Sequence, residues 1–153
     1  RRHTFSHAHL DPKHLDSLAS RVPEGIDLQR IEAPLAERVA AEVSEDLMPD
    51  FVFASVADFL ERGFGHCALA NDQLVGGVTS AVLSDGATEI QINTNSAHRK
   101  MGIGTALGAR FILECLERGI EPHWDTGDQV SYHLAEKLGY VAAASYEVLR
   151  CEE

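Results

Sequence analysis

The sequence predicts an α/β chain of the α+β kind, a mostly antiparallel sheet flanked by helices, and three observations carry that prediction. Residues 65–70, 74–83 and 89–95 are short runs rich in strand formers. Asn71-Asp72 and Asp85-Gly86, dipeptides that close tight turns between antiparallel neighbours, separate them. Strand alternation then gives way to helical spacing at Ile103, Leu107 and Phe111. Finally, a short glycine-flanked strand over 121–126 separates that helix from a second one.

Taken in order, residues 1–22 hold His3, His7, His9 and His14, a spacing that invites a metal reading. Neither cysteine nor clustered carboxylate accompanies them, so no metal site is expected. Asp11-Pro12 opens a short helix with Leu15 and Leu18 on one face. Because the chain begins Arg1-Arg2 and not Met, this segment is expected as a lead-in, the remnant of an upstream region, to a domain over 23–153.

Residues 26–31 alternate as a first strand, and Pro34 opens a helix with Leu35, Val39 and Val43 every fourth residue. Met48-Pro49-Asp50 ends that helix, and Ser55 caps another with Asp58 three residues on. Gly76-Gly77 inside a strand predicts a bulge or a close approach. The helix from Gly102 to Arg118 stops at Gly119 and is apolar nearly all round, apart from a stripe of Arg110, Glu114 and Arg118. Such a helix is central, which makes Cys115 a packed thiol. Asp128 caps the next helix, carrying Val130, Leu134 and Leu138, and residues 140–150 supply a final strand.

The chemistry concentrates where the strand at Glu89 feeds the central helix. Arg99, Gly102 and Gly104 fall where a helix has not yet satisfied its first N–H groups. Glycine there allows an oxyanion close to the backbone, at the positive end of the helix dipole, so the pattern reads as a diphosphate cradle. A dinucleotide fingerprint would place its first glycine directly after the strand, but residues 95–101 intervene. With no Gly-Lys-Ser/Thr, a nucleoside-triphosphate loop is also excluded.

Arg99-Lys100-Met101-Gly102-Ile103-Gly104 fits Arg/Gln-x-x-Gly-x-Gly/Ala, and with the closing Leu138-Gly139-Tyr140 the chain resembles the GNAT N-acetyltransferases over about residues 26–150. The resemblance implies a mixed, mostly antiparallel twisted sheet flanked by helices. It also implies attack of an amine, on a small molecule or a protein, on the thioester of acetyl-coenzyme A in a ternary complex. Thr94, with Ile92 beside it, is then expected along the pantetheine arm, and Arg99, Lys100, Met101, Gly102, Ile103 and Gly104 at the diphosphate. Lys100 stands where glycine is frequent in that family. Phe51, Phe53, Phe59 and Phe64 are candidate walls of the acceptor pocket, although core packing is the favoured reading for any one of them.

Direct transfer needs a base for the ammonium proton and an acid for the departing thiolate. Glu89 is the first candidate base, one residue off the family's position unless a bulge corrects the parity. His123 and Asp125 are further catalytic candidates, as is Gln91. The family's frequent tyrosine acid is replaced by Ala135, which opens a second reading, a catalytically silent acyl-coenzyme A-binding sensor or interaction module.

The formal net charge of −11 opposes nucleic-acid binding and suits a cationic amine acceptor. No apolar run is long enough to span a membrane, and Cys67, Cys115 and Cys151 without Cys-x-x-Cys spacing suggest reduced thiols in a cytoplasm. A homodimer is compatible with the resemblance.

Overall fold

A computed structural model describes residues 1–149, with the side chain of Ser44 excepted. Its strands are β1 (Arg2–Ser6), β2 (Ile26–Arg30), β3 (Gly65–Ala70), β4 (Gln73–Ser84), β5 (Ala87–Thr94), β6 (Glu121–His123), β7 (Asp125–Thr126) and β8 (Val141–Tyr146). Its helices are α1 (Pro12–Ala19), α2 (Ala33–Glu42), α3 (Ser44–Leu47), α4 (Val56–Arg62), α5 (Ile103–Arg118) and α6 (Gln129–Leu138). Strands β2, β3, β4, β5 and β6 form one sheet in that order, antiparallel except for the parallel pair β5 and β6. A second sheet has the order β7, β1, β8 and is antiparallel throughout. Among the described residues, no helix is long and apolar enough to cross a membrane.

The local chemistry accounts for most boundaries. Asn71 and Asp72 both adopt left-handed φ, 48° and 64°, which closes the β3–β4 turn with the twist a hairpin requires. Gly119 ends α5 at φ 68°, where a side chain would be strained. Ser55 Oγ accepts from the Asp58 amide at 3.1 Å, and Asp128 Oδ1 accepts from the Ser131 amide at 2.7 Å, capping α4 and α6.

Helix α5 is the centre of the packing. Ile103, Ala106, Leu107, Phe111 and Cys115 bury against Leu28, Phe64, Ala68, Val75 and Val78 of the larger sheet, with Phe64 and Phe111 stacked at 4.7 Å. The same strands present alternate residues to the opposite face, where Cys67 and Leu69 pack with Val39, Leu47, Phe53 and Phe59 from α2, α3, the connecting loop and α4. Gly77 makes the close approach foreseen for the glycine pair, since a Cβ there would fall 2.4 Å from Leu47 Cδ1. A bulge is also present, with Val75 the extra residue opposite the Ala68–Leu69 step.

Four placements differ from the sequence reading. Arg2–Ser6 forms a strand where none was expected. It lies between β7 and β8, with Phe5 buried against Tyr132 and Tyr140, and Leu15 and Leu18 of α1 join the same core. The strand expected over 121–126 divides at Trp124: β6 pairs with β5, then β7 pairs with β1. Val130 is 82% exposed and not on the buried face of α6, which Ala135 and Leu138 supply. The last strand ends at Tyr146, while Arg150 and Cys151 lie outside the described residues.

Candidate active site

The division at Trp124 shapes the site. Parallel pairing between β5 and β6 covers only Ala87 with Glu121, Thr88 with Pro122 and Glu89 with His123. Beyond Glu89, β5 continues from Ile90 to Thr94, paired on its other edge with β4 as far as Thr94 opposite Gly76. The Trp124 carbonyl accepts instead from the Phe5 amide at 3.2 Å, so the chain leaving β6 has moved to a different neighbour. One edge of β5 is therefore open over residues 90–94 among the described residues. An open edge presents backbone donors and acceptors to any extended, amide-bearing chain laid beside it.

That edge leads to the start of α5. Asn95 extends the β4 pairing through its amide, 2.7 Å from the Val75 carbonyl, and caps a 3-10 turn over Ser96–His98. Arg99 folds back so that its Nε donates to the Thr94 carbonyl at 3.1 Å, which fixes the loop against the strand end. Lys100 and Gly102 then take left-handed φ of 63° and 85°. This reversal aims the first amides of α5, at Ile103, Gly104 and Thr105, out of the helix end. A Cβ at Gly104 would meet Thr94 Oγ1 at 3.7 Å and Leu134 Cδ2 at 3.9 Å, so strand end and helix start are neighbours and the glycine keeps the space between them clear.

The candidate cofactor residues thus come together, in two kinds. Arg99, Lys100, Met101 and Gly102 are exposed, whereas Ile103 is buried and offers the site its backbone alone. Ile92 is half-buried and packs with both cores that α5 divides.

The candidate catalytic residues separate. Glu89 and His123 are register partners and both exposed. Asp125 lies beyond the division, where its Oδ1 accepts from Arg2 Nε at 2.7 Å and its other oxygen from the Tyr146 hydroxyl. The β4–β5 register slips between Ser80 and Val82, so the extra residue is Ala81 on β4, β5 itself runs unbulged, and the one-residue offset of Glu89 from the family's position stays uncorrected. Glu89 therefore keeps the same side of the sheet as Gln91 and Asn93, whose Nδ2 donates to Asp46 of α3 at 2.7 Å.

On that side a cleft of about 320 Å³ lies between α3 and the tips of β4 and β5, lined among others by Val43, Leu47, Gly76, Gly77, Asn93 and Arg99. Sequence reading did not single out Val43, Leu47 or Asn93 for it; the glycine pair and the expected cofactor residues Thr94 and Arg99, which also line it, carried the signal. None of the four phenylalanines lines it. Phe53, Phe59 and Phe64 are core, and Phe51 is 84% exposed. Ala135 is fully buried, and Tyr132 beside it turns to His3 and Phe5, with ring centroids at 5.0 Å from each.

Neither buried thiol is suited to nucleophilic catalysis, because burial pushes Cys67 and Cys115 up to about 12.

Comparison with known proteins places this geometry. A family model described as GNAT acetyltransferase matches residues 1–149. A Bacillus subtilis (strain 168) protein named uncharacterized N-acetyltransferase YdfB is 31% identical over 130 residues, which cover 84% of this chain and 49% of that protein. The chain thus spans about half the length of the curated relative it matches.

The crystal structure of a GCN5-related N-acetyltransferase-like protein from Streptococcus suis 89/1591 superposes with a TM-score of 0.86 at 34% identity, covering 94% of this chain and 57% of that one. AAC(6')-Iy, solved in complex with the bisubstrate analog CoA-S-monomethyl-acetylneamine, shares the fold at a TM-score of 0.64 and 16% identity, with 83% of this chain and 98% of that one covered. By the family model that matches residues 1–149, the chain belongs to the GNAT acetyltransferase family.

Proposed function

We propose that this chain carries the acetyl-coenzyme A site of an N-acetyltransferase and moves the acetyl group to the nitrogen of an amine by direct attack in a ternary complex. The observation that carries the reading is the open edge of β5 over residues 90–94 running into the glycine-cleared start of α5. An arm with two amides matches the strand edge, and a diphosphate matches the exposed amides and dipole of the helix start. Thr94 and Ile92 border the arm, and the residues from Arg99 to Gly104 hold the diphosphate.

In the reaction the ammonium first gives one proton to the base, the freed lone pair forms a bond to the thioester carbonyl carbon, the C–S bond breaks, and the nitrogen loses a second proton while the sulfur gains one, so that one proton is released overall. Glu89 is the proposed proton acceptor, directly or through a water, with His123 beside it on the same rung. Held at one strand end, the two reactants gain chiefly from fixed orientation. With Ala135 buried at the family's tyrosine position, the sulfur takes its proton from water or another side chain.

The chain's net negative charge favours an amine that arrives protonated. Buried, unpaired Cys67 and Cys115 fit a reducing, cytoplasmic setting.

The test is release of free coenzyme A thiol from acetyl-coenzyme A with a panel of polyamines, aminoglycosides, amino acids and peptide termini. Release that requires both the chain and an amine is the expected result. Tight cofactor binding with no release for any amine would favour the silent module instead, the second reading that Ala135 supports.

A further inference from the structure

Of the four N-terminal histidines, three are accounted for or isolated. The His3 ring stacks edge-on against Tyr132, His14 Nε2 lies 2.8 Å from the Lys137 carbonyl, and His9 is exposed. His7 differs. It follows directly on β1, in a turn closed by the Leu10 amide donating to its carbonyl, and its ring stacks on that of His123 at 5.8 Å with 16° between planes.

Both imidazoles address one carboxylate. His123 Nε2 lies 3.1 Å and His7 Nε2 3.8 Å from Glu121 Oε2, and the three ligand atoms all fall within 4.8 Å of one another. Ligands at about 2.0–2.2 Å around a tetrahedral cation are separated by roughly 3.3–3.6 Å. The two imidazole–carboxylate edges bracket that range. All three side chains are solvent-accessible, which leaves the approach and the remaining position open.

We propose that His7, Glu121 and His123 bind one divalent transition cation of the zinc class, with water in the fourth position. Two neutral nitrogens and one carboxylate oxygen suit Zn²⁺ far better than Mg²⁺ or Ca²⁺, which favour all-oxygen shells. The ion ties the end of β1 to β6, two strands of different sheets whose described backbones are not paired with each other. The site stands at the rung where β5 and β6 part. Its occupancy therefore fixes the β6 side of that opening and withdraws the His123 imidazole from proton transfer. The metal binding itself stands apart from the acetyl-transfer reading, whereas the withdrawal of His123 from proton transfer rests on it.

The experiment uses the untagged chain, freed of metal with a chelator, and titrates Zn²⁺ calorimetrically while following thermal unfolding. The expected result is one Zn²⁺ per chain and an unfolding midpoint that rises with Zn²⁺ but not with Mg²⁺. His7→Ala and, independently, Glu121→Gln each weaken Zn²⁺ binding by about tenfold or more, whereas His133→Ala leaves it unchanged. Absence of a Zn²⁺-dependent midpoint in the parent would overturn the assignment. So would undiminished affinity in folded His7→Ala or Glu121→Gln, which would place the ion elsewhere.

Discussion

Glu89 and His123 face each other across the last rung that joins β5 to β6, one residue short of the point where the two strands part. A base at that position stands at the mouth of the opening, where an attacking amine and the thioester would meet. Glu89→Gln is expected to lower kcat by about 10²-fold while leaving acetyl-coenzyme A affinity near the parent value. A rate and pH profile matching the parent's would remove Glu89 from the role and pass it to His123.

Lys100 holds a left-handed φ of 63° where glycine would carry no strain. Lys100→Gly and Lys100→Val remove the same charge, but only the β-branched residue resists that conformation. Acetyl-coenzyme A affinity is expected to stay close to the parent's in Lys100→Gly and to fall severalfold in Lys100→Val. Equal losses in a binding titration would mean that the charge and not the backbone shape matters.

Glu114 sits in a cationic network on α5. Arg30 donates to it through Nε and a terminal nitrogen, both at 3.0 Å, Arg118 Nε lies at 3.2 Å and His66 Nε2 at 3.1 Å. Burial alone would raise its pKa, but the hydrogen bonds from His66 and Arg30 and the charge of Arg30 outweigh this and hold the carboxylate at about 2. The folded value lies below the ordinary one of 4.5, so the stabilisation is complete above pH 4.5 and is lost as pH falls toward 2. Its size is roughly 3 kcal/mol. Glu114→Gln should unfold at lower urea at neutral pH and show a flatter acid limb; an unchanged limb would mean that Glu114 is not the titrating group.

Gly77→Ala places a methyl group 2.4 Å from Leu47 Cδ1, in a buried contact between β4 and α3. The expected cost is about 1–3 kcal/mol in denaturant unfolding. Adding Leu47→Ala should recover part of it, because the larger side chain is the obstacle. Strict additivity of the two losses would show that the strain lies elsewhere.

The parts legible in the sequence were those that local chemistry decides. Caps at Ser55 and Asp128, the Asn71-Asp72 turn and the stop at Gly119 each involve residues within a few positions of one another, and the structure has them all. That a strand end runs through a short loop into a glycine-opened helix was legible for the same reason, since a strand, a cation and two glycines stand within one short stretch. β1 was not, because Arg2–Ser6 is a strand only through partners at 125–126 and 141–146. Nor was the division at Trp124, which no turn residue marks, nor the meeting of His7 with Glu121 and His123, residues separated by most of the chain. Apolar bulk next to a loop suits a pocket wall as well as a core, and burial gives Phe53, Phe59 and Phe64 the core packing that was the favoured reading for each, leaving Phe51 exposed.

The most direct test of the central claim is a calorimetric titration of acetyl-coenzyme A into the parent chain and into Gly104→Trp. A Cβ at Gly104 meets only ordinary van der Waals neighbours, so the larger side chain can project into the space before α5 without breaking the core. One-to-one binding by the parent, with no measurable heat from a Gly104→Trp protein that still unfolds cooperatively, is the predicted outcome. Equal affinity in the two proteins would contradict the assignment of this helix start as the diphosphate cradle.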